Sequence, residues 1–211
     1  MTYDNIFSSF IWKTKLDYAG KNNLIEKIKE NYLRSPDKTP SKWKCNVHST
    51  FDDQSSHIPT DLITLFENKS NEFLESYDRN LKLTGNFYII ECWYNAYKGY
   101  QFQEPHDHGT NLISGCYYLK FNKNKHHQTE FYNPNYKVNF HNLENNPHFC
   151  YTPDCDEGDL IIFPSNLKHG TKGIKNKNKC DELRITISFN VVNDNICFEK
   201  DKKYLNTLNY Q

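Results

Sequence analysis

Leu183-Arg184-Ile185-Thr186-Ile187-Ser188-Phe189-Asn190-Val191 alternates apolar and polar residues without a break. Side chains at i and i+2 share one face of a strand. Leu183, Ile185, Ile187, Phe189 and Val191 therefore form one face, and Arg184, Thr186, Ser188 and Asn190 the other. A strand in a barrel wall has this two-sidedness, one face packing outward and the other looking into a cavity. An arginine looking into a cavity needs a partner, because an unpaired buried charge is costly. A carboxylate suits it best, since guanidinium can hold one through two parallel hydrogen bonds. Thr186 points the same way and can donate another bond. The carboxylate belongs either to a ligand or to the chain itself, with Asp159 and Glu91 as internal candidates.

Upstream, Pro105-His106-Asp107-His108 sets two imidazoles on one face of a strand. A third, His169, follows Phe163-Pro164-Ser165-Asn166-Leu167-Lys168 in a later turn and can close a triangle. Three protein ligands on one side of a metal leave the other positions open, as a catalytic site requires. Asp107 points to the opposite face of a regular strand, and a bulge would bring it in. Two ligand sets therefore stand: three histidines, or two histidines with Asp107. His48, His57, His141 and His148 read as hydrogen-bonded structural or surface residues. His126-His127 lies in a Lys/Asn-rich turn and reads as solvated, and Cys116 as a small buried hydrophobe.

The first half of the chain is built differently. A short strand is expected around Ile6–Trp12. Leu24, Ile25, Ile28, Tyr32 and Leu33 have helical spacing, which Ser35-Pro36-Asp37 breaks. Residues 36–57 read as an irregular arm. A second helix starts at Thr60 or Asp61, with Leu62, Leu65, Phe66, Phe73, Leu74 and Tyr77 as its apolar stripe. From Asn86 onward strands dominate: Phe87–Tyr94, Leu112–Phe121, Gln128–Tyr132, Asp159–Phe163 and Leu183–Val192. Tyr97-Lys98-Gly99 reads as a turn or bulge, 133–155 as a long polar connection, and 172–179 as a solvated loop. Helices followed by many short strands predict a mainly β core with helices packed on one face. One domain is expected over residues 1–211: supporting elements to 85, a β core over 86–193 and a polar tail from 194.

Composition narrows the function classes. The chain has 211 residues with 26 basic and 26 acidic side chains, so no strong field points to nucleic acid or a membrane surface. No apolar run approaches a membrane span, and the start lacks a signal peptide's layout. Seven scattered cysteines without a CxxC read as reduced thiols of a cytoplasmic protein.

Taken together, these residues resemble the 2-oxoglutarate/Fe(II)-dependent dioxygenases. Their pattern is His-x-Asp/Glu, a distal His, then Arg-x-Ser/Thr, matched here by His106, His108, His169, Arg184 and Thr186. The chain is most similar to a subgroup with Trp-x-Asn-x-Tyr, His-x-His and Ser-Gly-x-Tyr-Tyr-Leu. Here these are Trp93/Asn95/Tyr97, His106/His108 and Ser114-Gly115-Cys116-Tyr117-Tyr118-Leu119. The resemblance implies a double-stranded β-helix (jelly roll). It also implies Fe(II) at His106, His108 and His169, O2, and 2-oxoglutarate as the small-molecule cosubstrate, with ascorbate as a candidate reductant. It implies cosubstrate contacts from Arg184, Thr186, Tyr118 and Tyr97, and a pocket including Trp93, Asn95, Ser114 and Asp107. His108 stands where the superfamily usually has a carboxylate, and the resembling subgroup shares His-x-His. The implied reaction is hydroxylation coupled to oxidative decarboxylation of 2-oxoglutarate, with no catalytic residue beyond the metal centre. Two other classes are compatible with the residues: a jelly-roll metal enzyme without 2-oxoglutarate, such as a three-histidine dioxygenase or a hydrolase, and a non-catalytic binding module. Residues 36–57, 100–104 and 133–155 are expected to shape the substrate side, and their sequence encodes no legible specificity.

Overall fold

A computed structural model of the chain describes residues 9–53, 57–77, 85–98, 100–134, 150–173 and 181–194. These contain ten strands and two helices. In chain order they are β1 (Trp12–Lys15), α1 (Lys21–Arg34), β2 (His48–Ser49), α2 (Thr60–Tyr77), β3 (Phe87–Tyr97), β4 (Gln103–His106), β5 (Ile113–Lys120), β6 (Thr129–Tyr132), β7 (Cys150–Tyr151), β8 (Asp159–Pro164), β9 (His169–Thr171) and β10 (Arg184–Asn193).

The strands form two antiparallel sheets, a jelly-roll-like arrangement. The larger runs β1-β8-β5-β10-β3-β2 and the smaller β4-β9-β6-β7. β10, the alternating strand, is central in the larger sheet, paired with β3 on one side and β5 on the other. Its two faces separate as the alternation predicts. Ile185, Ile187, Phe189 and Val191 join a core that also holds Leu24, Ile25 and Ile28 of α1 and Leu62, Phe66 and Phe73 of α2. Each such side chain contributes about 1.5–3 kcal/mol on burial, so this outer core fixes the larger sheet rigidly behind the cavity. Arg184, Thr186 and Ser188 point the opposite way, toward the smaller sheet. A second apolar cluster, including Cys116, Tyr118, Phe131, Ile161 and Phe163, fills the space between the sheets.

Local chemistry sets the helix ends. α1 stops at Arg34, and the Ser35 N–H still bonds Asn31 O at 3.2 Å; Pro36 disfavours a helical residue before it. Asp61 lies within the first turn of α2 rather than before it, where its Oδ1 accepts the Leu62 N–H (2.9 Å) and the Tyr18 hydroxyl (3.2 Å).

Several expectations need correction. The first strand begins at Trp12, and the part of that expectation over residues 1–8 lies outside the described residues. β3 continues through Tyr97, so the turn comes later than the sequence suggests; Gly99 is outside the described residues. The arm holds a two-residue strand, β2, paired with Asn95 and Ala96 of β3. His126 is buried rather than solvated: its Nδ1 accepts the Asn122 N–H (3.0 Å) and its Nε2 faces Glu182 O (3.1 Å). His141, His148, most of 133–155 and 172–179, and all but Asp194 of the tail lie outside the described residues. Among the described residues no helix is long and apolar enough to cross a membrane.

Candidate metal centre

The smaller sheet brings the three imidazoles together. His169 is not in a turn: it opens β9 and is the register partner of His106 at the end of β4. His108 lies just beyond β4, where its N–H bonds Ser165 O at 2.8 Å. The His106 and His169 rings lie 4.5 Å apart between centroids, and the His108 ring 5.0 Å from that of His169. One ligand atom from each falls within 4.8 Å of the others. His108 Nε2 is 3.2 Å from His169 Nε2. Two nitrogens each about 2.1 Å from one metal, at right angles, stand about 3 Å apart.

The protonation pattern suits a metal. Nδ1 of His106 faces Glu104 O at 2.8 Å, and Nδ1 of His169 faces Leu167 O at 2.9 Å. A carbonyl only accepts, so both Nδ1 atoms carry the proton and both Nε2 atoms keep a lone pair. Burial lowers all three pKa values, that of His108 to about 3 and that of His169 well below the ordinary imidazole range, with neighbouring imidazoles adding to the shift at both. Three neutral imidazoles are thus held together, two of them in the tautomer that ligates through Nε2, and imidazole suits iron(II) as well as other first-row metals. Asp107 does not join them: it is exposed, and its Oδ1 accepts the Gly109 N–H at 3.1 Å. The register shift in β4 falls between Gln103 and His106, upstream of Asp107.

Arg184 and Thr186 line the same pocket as the three histidines. Arg184 is 3 % exposed and makes one hydrogen bond, from Nη2 to Thr129 Oγ1 at 3.1 Å. Its Nε and Nη1 are buried without partners. The aromatic rings of Tyr97 and Tyr118 lie 4.7 and 5.4 Å from its guanidinium carbon. Neither internal carboxylate pairs with it. Asp159 bonds Lys15 at 3.0 Å, and Glu91 accepts from Asn190 Nδ2 at 2.5 Å. A buried guanidinium with two unpartnered nitrogens, and no carboxylate paired with it among the described residues, has the donors to receive an anion from outside the chain. The donor set thus fits both Fe(II) and a carboxylate-bearing cosubstrate.

The other expected residues divide. Trp93, Asn95 and Tyr97 line the pocket, and Trp93 Nε1 and Asn95 Oδ1 are buried without partners. The Tyr97 hydroxyl donates to Gln103 Oε1 at 2.6 Å. Tyr118 lies behind Arg184, outside the pocket lining, and its hydroxyl accepts the Thr129 N–H at 3.2 Å. Ser114 is placed elsewhere, bonded to Ser165 Oγ at 2.8 Å and Asn190 Oδ1 at 2.7 Å. Gln103, from the segment expected to shape the substrate side, lines the pocket, as do Thr129 and Thr171, which were not anticipated. The Thr129-Glu130-Phe131 alternation carried a signal for Thr129, since it shares a strand face with buried Phe131.

Two antiparallel sheets in a jelly-roll-like arrangement thus enclose an imidazole triad that could hold a metal and an arginine with unpartnered buried nitrogens. Residues 91–190 match the family described as "Putative 2OG-Fe(II) oxygenase". Over that segment, just under half of the chain, the sequence is similar to the 2-oxoglutarate/Fe(II)-dependent oxygenases, a family that uses Fe(II), 2-oxoglutarate and O2. No curated protein matches the sequence. Solved structures of similar fold include a Pseudomonas putida prolyl-4-hydroxylase at 12% identity and TM-score 0.54, covering 87% of this chain and 92% of that one. AviO1 from Streptomyces viridochromogenes Tue57 aligns at 11% identity and TM-score 0.62, over 88% and 90% of the two chains. HygX from Streptomyces hygroscopicus, solved with nickel, 2-oxoglutarate and hygromycin B bound, aligns at 11% identity and TM-score 0.56, over 88% and 84%. At these identities the likeness is one of fold.

Proposed function

We propose that His106, His108 and His169 hold the Fe(II), that Arg184, Thr186 and Thr129 receive the distal carboxylate of 2-oxoglutarate, and that the enzyme is a hydroxylase. The fold supporting this is read as a double-stranded β-helix with α1 and α2 backing one sheet, in a single catalytic domain of a cytoplasmic protein. The observation that carries the reading is Arg184, whose buried, unpartnered N–H groups open into the pocket of the three imidazoles. When bound, the metal supplies the redox chemistry that couples decarboxylation of 2-oxoglutarate to oxidation of a C–H bond.

The chain's own residues position and shield. The backbone carbonyls of Glu104 and Leu167 keep two imidazoles in the ligating tautomer. Arg184 offers the carboxylate two N–H groups in a fixed plane, and its remaining bond to Thr129 sets that plane. Thr186 adds a hydroxyl from the same strand face. Tyr97 and Tyr118 hold the guanidinium between their rings, a placement that stabilises the cation while it waits for its anion. Trp93 and Asn95 leave a donor and an acceptor for a bound molecule. The pocket is narrow, about 20 Å³, and Gln103, held at its tip by Tyr97, is part of its lining.

Anaerobic titration of Fe(II)-loaded protein with 2-oxoglutarate, followed by its weak visible absorption, tests the assignment. Losing charge-assisted bonds worth about 1.5–3 kcal/mol should make Arg184→Ala require at least tenfold more 2-oxoglutarate. Equal affinity in the two proteins would remove Arg184 from the site.

A further inference from the structure

A second cavity, of about 130 Å³, lies on the other side of His106 and His108. The two imidazoles and Gln103 line it as well as the inner pocket, so they form the wall between the two. Any molecule in this outer cavity lies against the proposed metal ligands.

Five rings form a closed circuit beside it, of which Trp43, Phe51, His106 and His108 line it and Trp93 lines the inner pocket. Trp43 stacks on His106 with centroids 6.2 Å apart, and Phe51 lies 5.2 Å from Trp43. Trp93 meets Phe51 edge-on at 5.0 Å and reaches His108 at 5.7 Å. His106 and His108, 5.3 Å apart, complete the circuit. Trp43 and Phe51 are half-buried, so their ring surfaces are not used up in the core. The charged side chains of the lining are Glu104 and Asp107, and no lysine or arginine is among them. Glu104 is held in place, its Oε1 accepting the Lys44 N–H at 2.8 Å, while Oε2 is buried and no cation pairs with the carboxylate among the described residues. The Cys45 thiol beside it, pushed up to about 12 mainly by burial, is neutral and adds no countercharge.

Aromatic faces attract cations through their quadrupole, and a carboxylate oxygen shielded from water attracts a donor cation more strongly still. An anion placed here would meet Glu104 with no compensating charge. We propose that the outer cavity binds the primary substrate and that this substrate presents a cationic amine, seated against Trp43 and Phe51 and paired with the Glu104 carboxylate. The site is thereby polarised: the inner side of the histidine wall takes a dicarboxylate through Arg184, and the outer side takes a cation through Glu104. The proposal rests on the 2-oxoglutarate reading for the identity of the inner ligand.

The test uses Ni(II)-loaded full-length protein, with and without 2-oxoglutarate, titrated with butylammonium, butanol and butyrate, three probes of matched length. Binding is read from the indole N–H resonance of Trp43, assigned with Trp43→Phe. Butylammonium should bind at least tenfold more tightly than butanol, and butyrate more weakly than both. Glu104→Gln should erase the preference for the amine. Glu104→Lys should reverse it in favour of butyrate, an outcome that a misfolded variant cannot give. Equal binding of all three probes, or a preference untouched by either substitution, would overturn the proposal. Amine binding in protein that does not take up 2-oxoglutarate would leave this inference standing and remove the reading of the inner pocket instead.

Discussion

The ring of Phe189 occupies the place where a side chain at Gly115 would begin: a Cβ there would overlap its Cζ and Cε atoms. The same ring stacks on Phe66 of α2, with centroids 4.7 Å apart and planes 19° from parallel. The contact therefore joins β5, β10 and the helix behind the sheet. Gly115→Ala should displace Phe189 and cost about 1–3 kcal/mol, the usual penalty for overpacking a filled core. Urea unfolding checks the loss, and adding Phe189→Leu should recover part of it. Additive losses in the double variant would show that the two positions do not compete for space.

Arg184 lies at the opposite extreme, a buried charge with too few partners. Exchanging a buried ionic group for a well-packed apolar one commonly stabilises by about 1–4 kcal/mol. Metal-loaded Arg184→Met should accordingly unfold at higher urea than wild type when no 2-oxoglutarate is present. Adding 2-oxoglutarate should then stabilise wild type but not the variant. A variant less stable than wild type without the cosubstrate would mean that the guanidinium is satisfied in the resting protein.

The identity of the third ligand is open to direct test, because adjacent residues make opposite predictions. His108→Ala should lower Fe(II) affinity at least a hundredfold, since the remaining pair of imidazoles provides too few donors for a stable site. Asp107→Ala, which loses an exposed bond to the Gly109 N–H, should retain its metal. Iron content after dialysis against a weak chelator separates the two. Metal loss from Asp107→Ala alone would restore the two-histidine, one-carboxylate set.

His48 supplies a pH dependence away from the site. Its Nδ1 lies 2.6 Å from Ser35 O and its Nε2 3.2 Å from the Tyr94 hydroxyl. Burial lowers its pKa, more than the Ser35 carbonyl raises it. The folded protein thus takes up this proton at lower pH than the unfolded chain does. The His48 contribution to stability is constant above about pH 6.5, the unfolded value, and is lost as the pH falls from there toward the folded pKa. The slope cannot exceed about 1.4 kcal/mol per pH unit, the value for one proton. His48→Gln should be less stable than wild type at pH 7.5, with the gap narrowing at pH 5.5; a constant gap would show that His48 keeps an ordinary pKa in the fold.

Long regular features were legible in the sequence, and short ones were not. β10 announces itself because the nine residues 183–191 alternate, and α2 because its stripe spans four turns. β4, β9, β2 and β7 have two to four residues each, too few for a period to show. Gln103-Glu104-Pro105 also resembles a loop, since Pro105 cannot donate to a ladder. That is why His169 was expected in a turn, although its place in the triangle was anticipated. Arg184 and Thr186 were readable because a strand of known alternation has only two faces. The fates of Ser114 and Tyr118 were not, because motif position gives a face without giving the depth at which the side chain meets its neighbours. The arm over 36–57 and the segment 100–104 were anticipated as shaping the substrate side. That they would bring Trp43, Phe51 and Glu104 around one cavity depends on contacts with no sequence period.

The division of labour between the sheets has a mechanical consequence. His106, His108 and His169 belong to the smaller sheet and its margin, whereas Arg184 and Thr186 stand on the larger. On the proposed assignment, a molecule chelated at one and clamped at the other would act as a rivet through both layers. Metal alone would tighten one layer, and cosubstrate would couple that layer to its neighbour, so the successive loading steps would stiffen the fold in sequence. Slippage between the sheets would weaken the grip on 2-oxoglutarate long before it released the metal.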